Sequence, residues 1–261
     1  MTQTKEVVRW VAGERPQAAK DELALEEPLE IQVDTRPVGV TMRTPGHDDE
    51  LAAGFLVTEG IITSSKDLIK IAPHPRNSTN VINLFLRNTP DLERLKRNVF
   101  VSSSCGLCGK ASIENVHRHF KPLKSRLRIS SDVLLGLPEK LRKAQEAFAR
   151  SGGLHAAGIF SAAGELIVSR EDIGRHNAVD KVIGYGLLHA SLPFKEHILM
   201  VSGRASFEIM QKALAARIPV VAAVSAPSSL AADFALESGQ TLVGFLRERR
   251  MNLYAGNHRI K

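Results

Sequence analysis

Cys105 and Cys108 are the only cysteines in 261 residues, and three positions separate them. They sit in Ser102-Ser103-Ser104-Cys105-Gly106-Leu107-Cys108-Gly109-Lys110, a Ser/Gly loop rather than the apolar periodic segment that usually houses a core cysteine. The reactive form of such a thiol is the thiolate. Backbone N–H groups from Gly106 and Gly109, with Lys110 beside them, offer the anion stabilisation it needs. The pair admits four uses: a thioredoxin-like redox couple, half of a zinc site, carriage of sulfur or an acyl group, or two inert small residues.

Zinc lacks partners, because no second C-x-x-C exists. His117 and His119 would stand about 200° apart on a helix and could not share an ion. Two further motifs fail on inspection. Cys108-Gly109-Lys110-Ala111 resembles the end of a phosphate-binding loop, but Ser104 stands where the first glycine belongs and Ala111 where a hydroxyl residue belongs. Ser104 also occupies the proline position of the zinc deaminase signature. No metal site is expected.

The bulk numbers narrow the partners. A hydrophobic fraction of 43% and a charged fraction of 24% suit one or two globular domains. The longest apolar stretches, such as Ile218 to Val224, are too short to cross a bilayer. Met1 to Glu14 lacks a secretory pattern, so a cytoplasmic protein with no membrane association is expected. A formal charge of +7 favours an anionic partner. The excess is scattered apart from Lys121 to Arg128 and Arg247 to Arg250. With one Trp and two Tyr there is little to stack bases on, and no nucleic acid is expected.

Hydropathy patterns supply the elements that must hold the loop. Strands are expected over Val7 to Val11, over Leu29 to Met42 with a turn at Asp34-Thr35-Arg36-Pro37, and over Val81 to Leu86. A helix should start near His47, with Asp48, Asp49 and Glu50 at the positive end of its dipole, and stop at Gly60. Short helices follow over Ala111 to Phe120 and, capped by Ser130 or Ser131, over Asp132 to Arg150. Pro138 should split the second of these or open its second half. A hairpin over His155 to Val168 comes next. Helices at Gly174–His189, Ser206–Arg217 and Ser228–Glu237 then alternate with strands at His197–Val201, Pro219–Val224 and Thr241–Leu246. The expected fold is α/β: a mixed, largely parallel sheet with helices on both faces, plus a smaller N-terminal mixed α/β part. The division falls between residues 1–98 and 99–261.

In such sheets ligands bind at the carboxyl ends of the strands. Ser202-Gly203-Arg204, Ser225-Ala226-Pro227-Ser228 and the stretch from Arg247 lie there. Small residues and an arginine leading into helix N-termini suit phosphate oxygens, although Ser and Gly are also ordinary caps. Asp172, Arg175 and His176 either line this site or fix the following helix by an ion pair and cap. His155 reads as a packing or hydrogen-bonding residue near the start of its strand.

Five blocks, in order, resemble the FdhD family of formate dehydrogenase accessory sulfurtransferases. They are Pro45-Gly46-His47-Asp48-Asp49-Glu50-Leu51-Ala52-Ala53-Gly54-Phe55-Leu56 with Thr58-Glu59-Gly60; Ser103 to Gly109; Gly153-Leu154-His155-Ala156-Ala157; Arg170 to Lys181; and Ser202 to Glu208 with Thr241 to Phe245. The resemblance implies a cytidine-deaminase-like core without zinc chemistry, and a homodimer. It implies a sulfur carrier that takes sulfur from a cysteine desulfurase and passes it to bis-molybdopterin guanine dinucleotide for formate dehydrogenase, a guanine nucleotide mimicking that cofactor. By motif position Cys105 bears the persulfide and Cys108 supports it. The cofactor-binding stretch falls on Phe245, Leu246, Arg247, Glu248, Arg249 and Arg250, more charged here than the family pattern. Basic strand ends add Gly203 and Arg204. A cofactor-binding chaperone without obligatory sulfur transfer and a thiol-disulfide oxidoreductase are the other readings.

Overall fold

A computed structural model describes residues 1–74, 77–88 and 120–261. Cys105, Cys108, the helix expected from Ala111 and the expected 98/99 boundary lie outside the described residues. Strands β1 (Thr2–Arg9) and β2 (Gln17–Ala24) pair antiparallel as a separate ribbon. Trp10, beyond the end of β1, is 75% exposed. The ribbon leans on α3 (Glu146–Ser151), where Arg150 Nε reaches Glu22 at 3.6 Å.

A four-stranded sheet follows in the order β4-β3-β6-β5, from β3 (Glu27–Val33), β4 (Arg36–Arg43), β5 (Leu68–His74) and β6 (Asn77–Leu86). Asp34 and Thr35, both at positive φ, make the expected tight turn between β3 and β4. Helix α1 (Asp48–Thr58) buries Leu51, Ala52, Ala53, Leu56 and Val57. A helix apolar nearly all round must be covered on every side. The four-stranded sheet covers one side of α1 and α4 (Arg175–Leu188) the other.

The main sheet has six strands in the order β12-β11-β10-β9-β7-β8. These are β7 (His155–Ser161), β8 (Leu166–Asp172), β9 (His197–Val201), β10 (Val220–Ala223), β11 (Thr241–Arg247) and β12 (Arg250–Ala255). The mixed α/β class holds. Parallel pairing, however, is confined to β9, β10 and β11, while β7, β8 and β12 pair antiparallel. The reason is local: β8 and β12 return through tight turns, which can join only antiparallel neighbours.

Period-two alternation sends Ala157, Ile159, Leu199, Val201, Val221 and Leu242 to one face, under α4, α5 (Phe207–Ala215) and α6 (Ser229–Ser238). Phe160, Ile198, Met200, Val220, Val243 and Leu246 face α2 (Ser131–Lys143) instead. Ser130 caps α2 as expected, accepting from Asp132 N at 3.2 Å. Pro138 neither splits the helix nor opens its second half. The helix runs through it, so Leu134 O gives up one helical partner, and the break comes only at Ala144-Gln145, before α3. The first core joins the N-terminal sheet, α1 and the main sheet into one apolar cluster. No helix among the described residues is long and apolar enough to cross a membrane.

Candidate functional site

Strands β8, β9, β10 and β11 run in one direction, so their carboxyl ends share an edge with the starts of β7 and β12. Helices α4, α5 and α6 begin at that edge, which turns three sets of free backbone N–H groups toward it. Ser206 and Ser228 cap α5 and α6, accepting from Ile209 N at 3.4 Å and Ala231 N at 3.2 Å. Gly174, at the head of α4, provides no side-chain cap.

Gly203 leaves room for the His155 side chain at this edge. A Cβ there would lie 3.2 Å from His155 Nδ1 and 3.9 Å from Arg175 Cβ. His155, Arg175 and the exposed Arg204 therefore gather beside the β9 elbow. Ser202 tethers it, with Ser202 N donating to Ala156 O and Ala156 N donating to Ser202 Oγ, both at 2.9 Å. His176 Nε2 lies 2.8 Å from Glu208 Oε2 and 3.1 Å from Ser206 Oγ. The hydrogen bond from His176 holds the Glu208 carboxyl below the usual range, against the pull of burial. Arg175 Nε is buried and has no hydrogen-bond partner among the described residues. A buried donor without a partner is costly, and this one belongs to a side chain held beside His155 and Gly203 at the edge.

The Phe245 to Arg250 stretch is a hairpin tip. Glu248 and Arg249 have φ of 52° and 57°, the left-handed pair of a two-residue turn joining β11 to β12. Phe245, at φ 51°, sits in a bulge where three steps on β11 match two on β12. Its N–H donates to Ser225 O at 3.1 Å, tying the tip to the β10 elbow. Arg247, Glu248, Arg249 and Arg250 are exposed and Phe245 is half-buried. Leu246 differs: it is 0% exposed in the core beneath α2, so its side chain has no surface for a ligand. Arg250 is partnered by Glu248 at 2.9 Å, which leaves Arg247, Arg249 and Arg204 as the exposed cations of this edge with no carboxylate partner among the described residues. Three non-glycine residues at positive φ are strained, and strain of this kind collects at ligand-binding positions.

The dense Arg170 to Lys181 block divides by burial. Asp172 and Lys181, both fully buried, pair at 2.7 Å. Asp172 also accepts from Thr44 N at 3.1 Å, Gly174 N at 2.8 Å and Asn177 Nδ2 at 3.0 Å. That is the ion-pair-and-cap role. Arg175 and His176 face the edge, and their signal in the sequence was the same polar run. The Pro45 to Glu50 block is also structural: Asp48 grips the buried Arg43 through two hydrogen bonds of 3.0 and 2.9 Å, and Glu50 grips Arg170.

Burial, then Arg175, His176 and Arg204, lowers the His155 pKa from its ordinary value of about 6.5. A folded-state pKa below the unfolded one means that the unfolded chain binds more protons in this window, so stability is lost as pH falls past the unfolded value. Wild type should lose more stability than His155→Gln between pH 7.5 and 5.5 in urea titrations, and equal losses would refute the assignment.

The FdhD/NarQ family profile matches residues 24–261. A protein named sulfur carrier protein FdhD from Streptomyces avermitilis is 50% identical, the alignment covering 100% of this chain and 96% of the relative. A protein of the same name from Sulfolobus acidocaldarius is 44% identical over 93% of this chain and 92% of its own. A crystal structure described as a formate dehydrogenase accessory protein from Desulfotalea psychrophila superposes with a TM-score of 0.80 at 25% identity, covering 100% of this chain and 99% of that one. By the reach of the profile and by identity along the whole length, the chain belongs to the FdhD/NarQ family.

Proposed function

We propose that this protein is a sulfurtransferase that carries sulfur as a persulfide on Cys105 and delivers it to bis-molybdopterin guanine dinucleotide for formate dehydrogenase. In the loading step the Cys105 thiolate attacks the terminal sulfur of a cysteine desulfurase persulfide. One S–S bond forms, one breaks, and the donor leaves as its own thiolate. Cys108, three positions on, can then displace the carried sulfur as sulfide by closing a disulfide with Cys105. In that step the Cys108–Cys105 S–S bond forms as the bond to the sulfane sulfur breaks and sulfide leaves; the cysteine pair ends as a disulfide, which a dithiol reductant must reduce before the next loading. The protein acts in the cytoplasm as a homodimer in this reading.

The observation that carries the choice of acceptor is the carboxyl edge. Three helix N-termini, the unpartnered Arg175 Nε and the exposed Arg204, Arg247 and Arg249 lie along it. Such an edge suits a polyphosphate better than a protein disulfide, which needs no cations. The dinucleotide fits these donors as a substrate, its phosphates answering the guanidinium groups. Sulfur as the cargo is supported by the Cys105/Cys108 pair and by relatives named as sulfur carriers.

Incubation with a cysteine desulfurase and cysteine should add one sulfur atom to the intact mass of the wild type. Cys105→Ala should take none, and Cys108→Ala should load but turn over slowly. A wild type that stays unmodified, with dehydrogenase maturation intact in both variants, would leave the chaperone reading instead.

A further inference from the structure

The opposite edge of the main sheet carries a second cationic surface. Residues 121–128 run extended there with alternating exposure: Pro122, Lys124, Arg126 and Arg128 point outward, while Leu123, Ser125 and Leu127 are half-buried. The segment is fixed from behind. Leu123 N donates to Ser238 O at 2.8 Å, Arg259 Nη2 donates to Ser125 O at 3.4 Å, and Arg217 donates to the carbonyls of Lys121 and Pro122. Lys195 and Glu196 precede β9 and Arg217 precedes β10, so this is the amino edge of the strands. Together they line a groove of ≈ 850 Å³.

Five cations, Lys121, Lys124, Arg126, Lys195 and Arg217, meet one carboxylate, Glu196, in that groove. Lys121, Lys124, Arg126 and Lys195 are exposed and have no carboxylate partner among the described residues. Cations at alternate positions of an extended chain stand about 7 Å apart. Lys124 and Arg126 are therefore spread along the groove, whereas a site for one small anion needs donors gathered about one point. Among the described residues no aromatic side chain lines the groove, so these offer no stacking platform of the kind that single-stranded nucleic acid uses. A row of unpaired cations on a rigid backing does match an acidic protein face, which it would steer and orient. Lys121 also follows Cys108 by thirteen positions, so a partner held here lies within roughly 45 Å of chain contour from the thiols.

We propose that this groove docks the protein that donates sulfur, recognising it through an acidic face; the proposal rests on the sulfur-carrier reading. The test is Lys121→Glu/Lys124→Glu/Arg126→Glu, three exposed side chains whose loss leaves the backbone hydrogen bonds intact. Sulfur loading is timed with two donors, a cysteine desulfurase plus cysteine, and glutathione persulfide, each at low and high salt. Wild-type loading by the desulfurase should slow as salt rises. At low salt the variant should load from the desulfurase at least about 10-fold more slowly, with a flat salt dependence and unchanged loading from glutathione persulfide. Unchanged desulfurase loading would overturn the proposal, as would an equal loss with both donors, which would point to the thiols. Nucleic acid retained by the wild type and released by the variant would reassign the groove and overturn it as well. A wild type that takes sulfur from neither donor would sink the sulfur-carrier reading itself.

Discussion

Gly184→Ala should destabilise the protein by about 3 kcal/mol or more, although the same change in a free helix is favourable. A Cβ on Gly184 would fall 1.8 Å from Glu50 O, and one on Gly54 would fall 1.8 Å from Asp180 O. Helices α1 and α4 thus cross with backbone against backbone, closer than side chains normally allow. No rotamer can relieve a clash with a carbonyl, so the helices must separate and loosen the cluster that joins both sheets. Against a total stability of about 5–15 kcal/mol this is a large fraction, and the midpoint should drop by roughly 6–12 °C. Gly136→Ala is the control. It lies within α2, and a Cβ there meets nothing within 4 Å. It should gain about 0.5–1 kcal/mol. Thermal melts of both variants settle the matter: a Gly184→Ala protein as stable as wild type would mean that the helices are not in backbone contact.

The second large effect is expected at Lys181. Its ammonium is 0% exposed, 2.7 Å from Asp172 Oδ2, and donates to Thr44 O at 2.9 Å. Lys181→Met keeps the apolar stem but strands the Asp172 carboxylate in the core. Breaking one side of such a pair costs about 3–5 kcal/mol. The Asp172 hydrogen bonds from Thr44, Gly174 and Asn177 remain, which places the loss near the lower end. Adding Asp172→Asn should recover part of it, because the double variant buries no unpaired charge. Urea unfolding of both single variants and the double variant yields the coupling. Losses that simply add would show that the two charges do not sense each other. The same pair ties α4 to Thr44, just beyond β4, so the variant should also disturb the edge that Arg175 and His176 occupy.

What the sequence disclosed followed from strong local signals. Ser206 and Ser228 open the helices expected there, and each proves to be the cap just ahead of the first helical residue. Asp34-Thr35 lies between alternating apolar strands and forms the turn. Elements without such signals were missed. β2, Gln17–Ala24, contains no β-branched residue, and its pairing with β1 supplies what propensity lacks. β12 was invisible because Glu248-Arg249 form a left-handed turn that sequence normally assigns to Asn-Gly or Gly-Gly. The burial of the Leu246 side chain was equally illegible, since a bulge and a turn decide which residues of that stretch face outward. Asp172 and Arg175 lie three positions apart, yet one is core and the other edge. No spacing rule separates them; the position of Thr44, far away in sequence, does.

The β1–β2 ribbon bears on how the unfolding experiments are read. Trp10 is the protein's single tryptophan, and at 75% exposure it already emits as an indole in water. It belongs to a two-stranded ribbon lying almost wholly ahead of residues 24–261, and such a ribbon is marginal on its own. Its fluorescence will change little on unfolding, and what change it shows will report the ribbon rather than the melting of the two sheets. Far-ultraviolet dichroism follows the helices directly. A tryptophan trace and a dichroism trace that fail to coincide would here reflect where the chromophore sits, and would not be evidence of a folding intermediate.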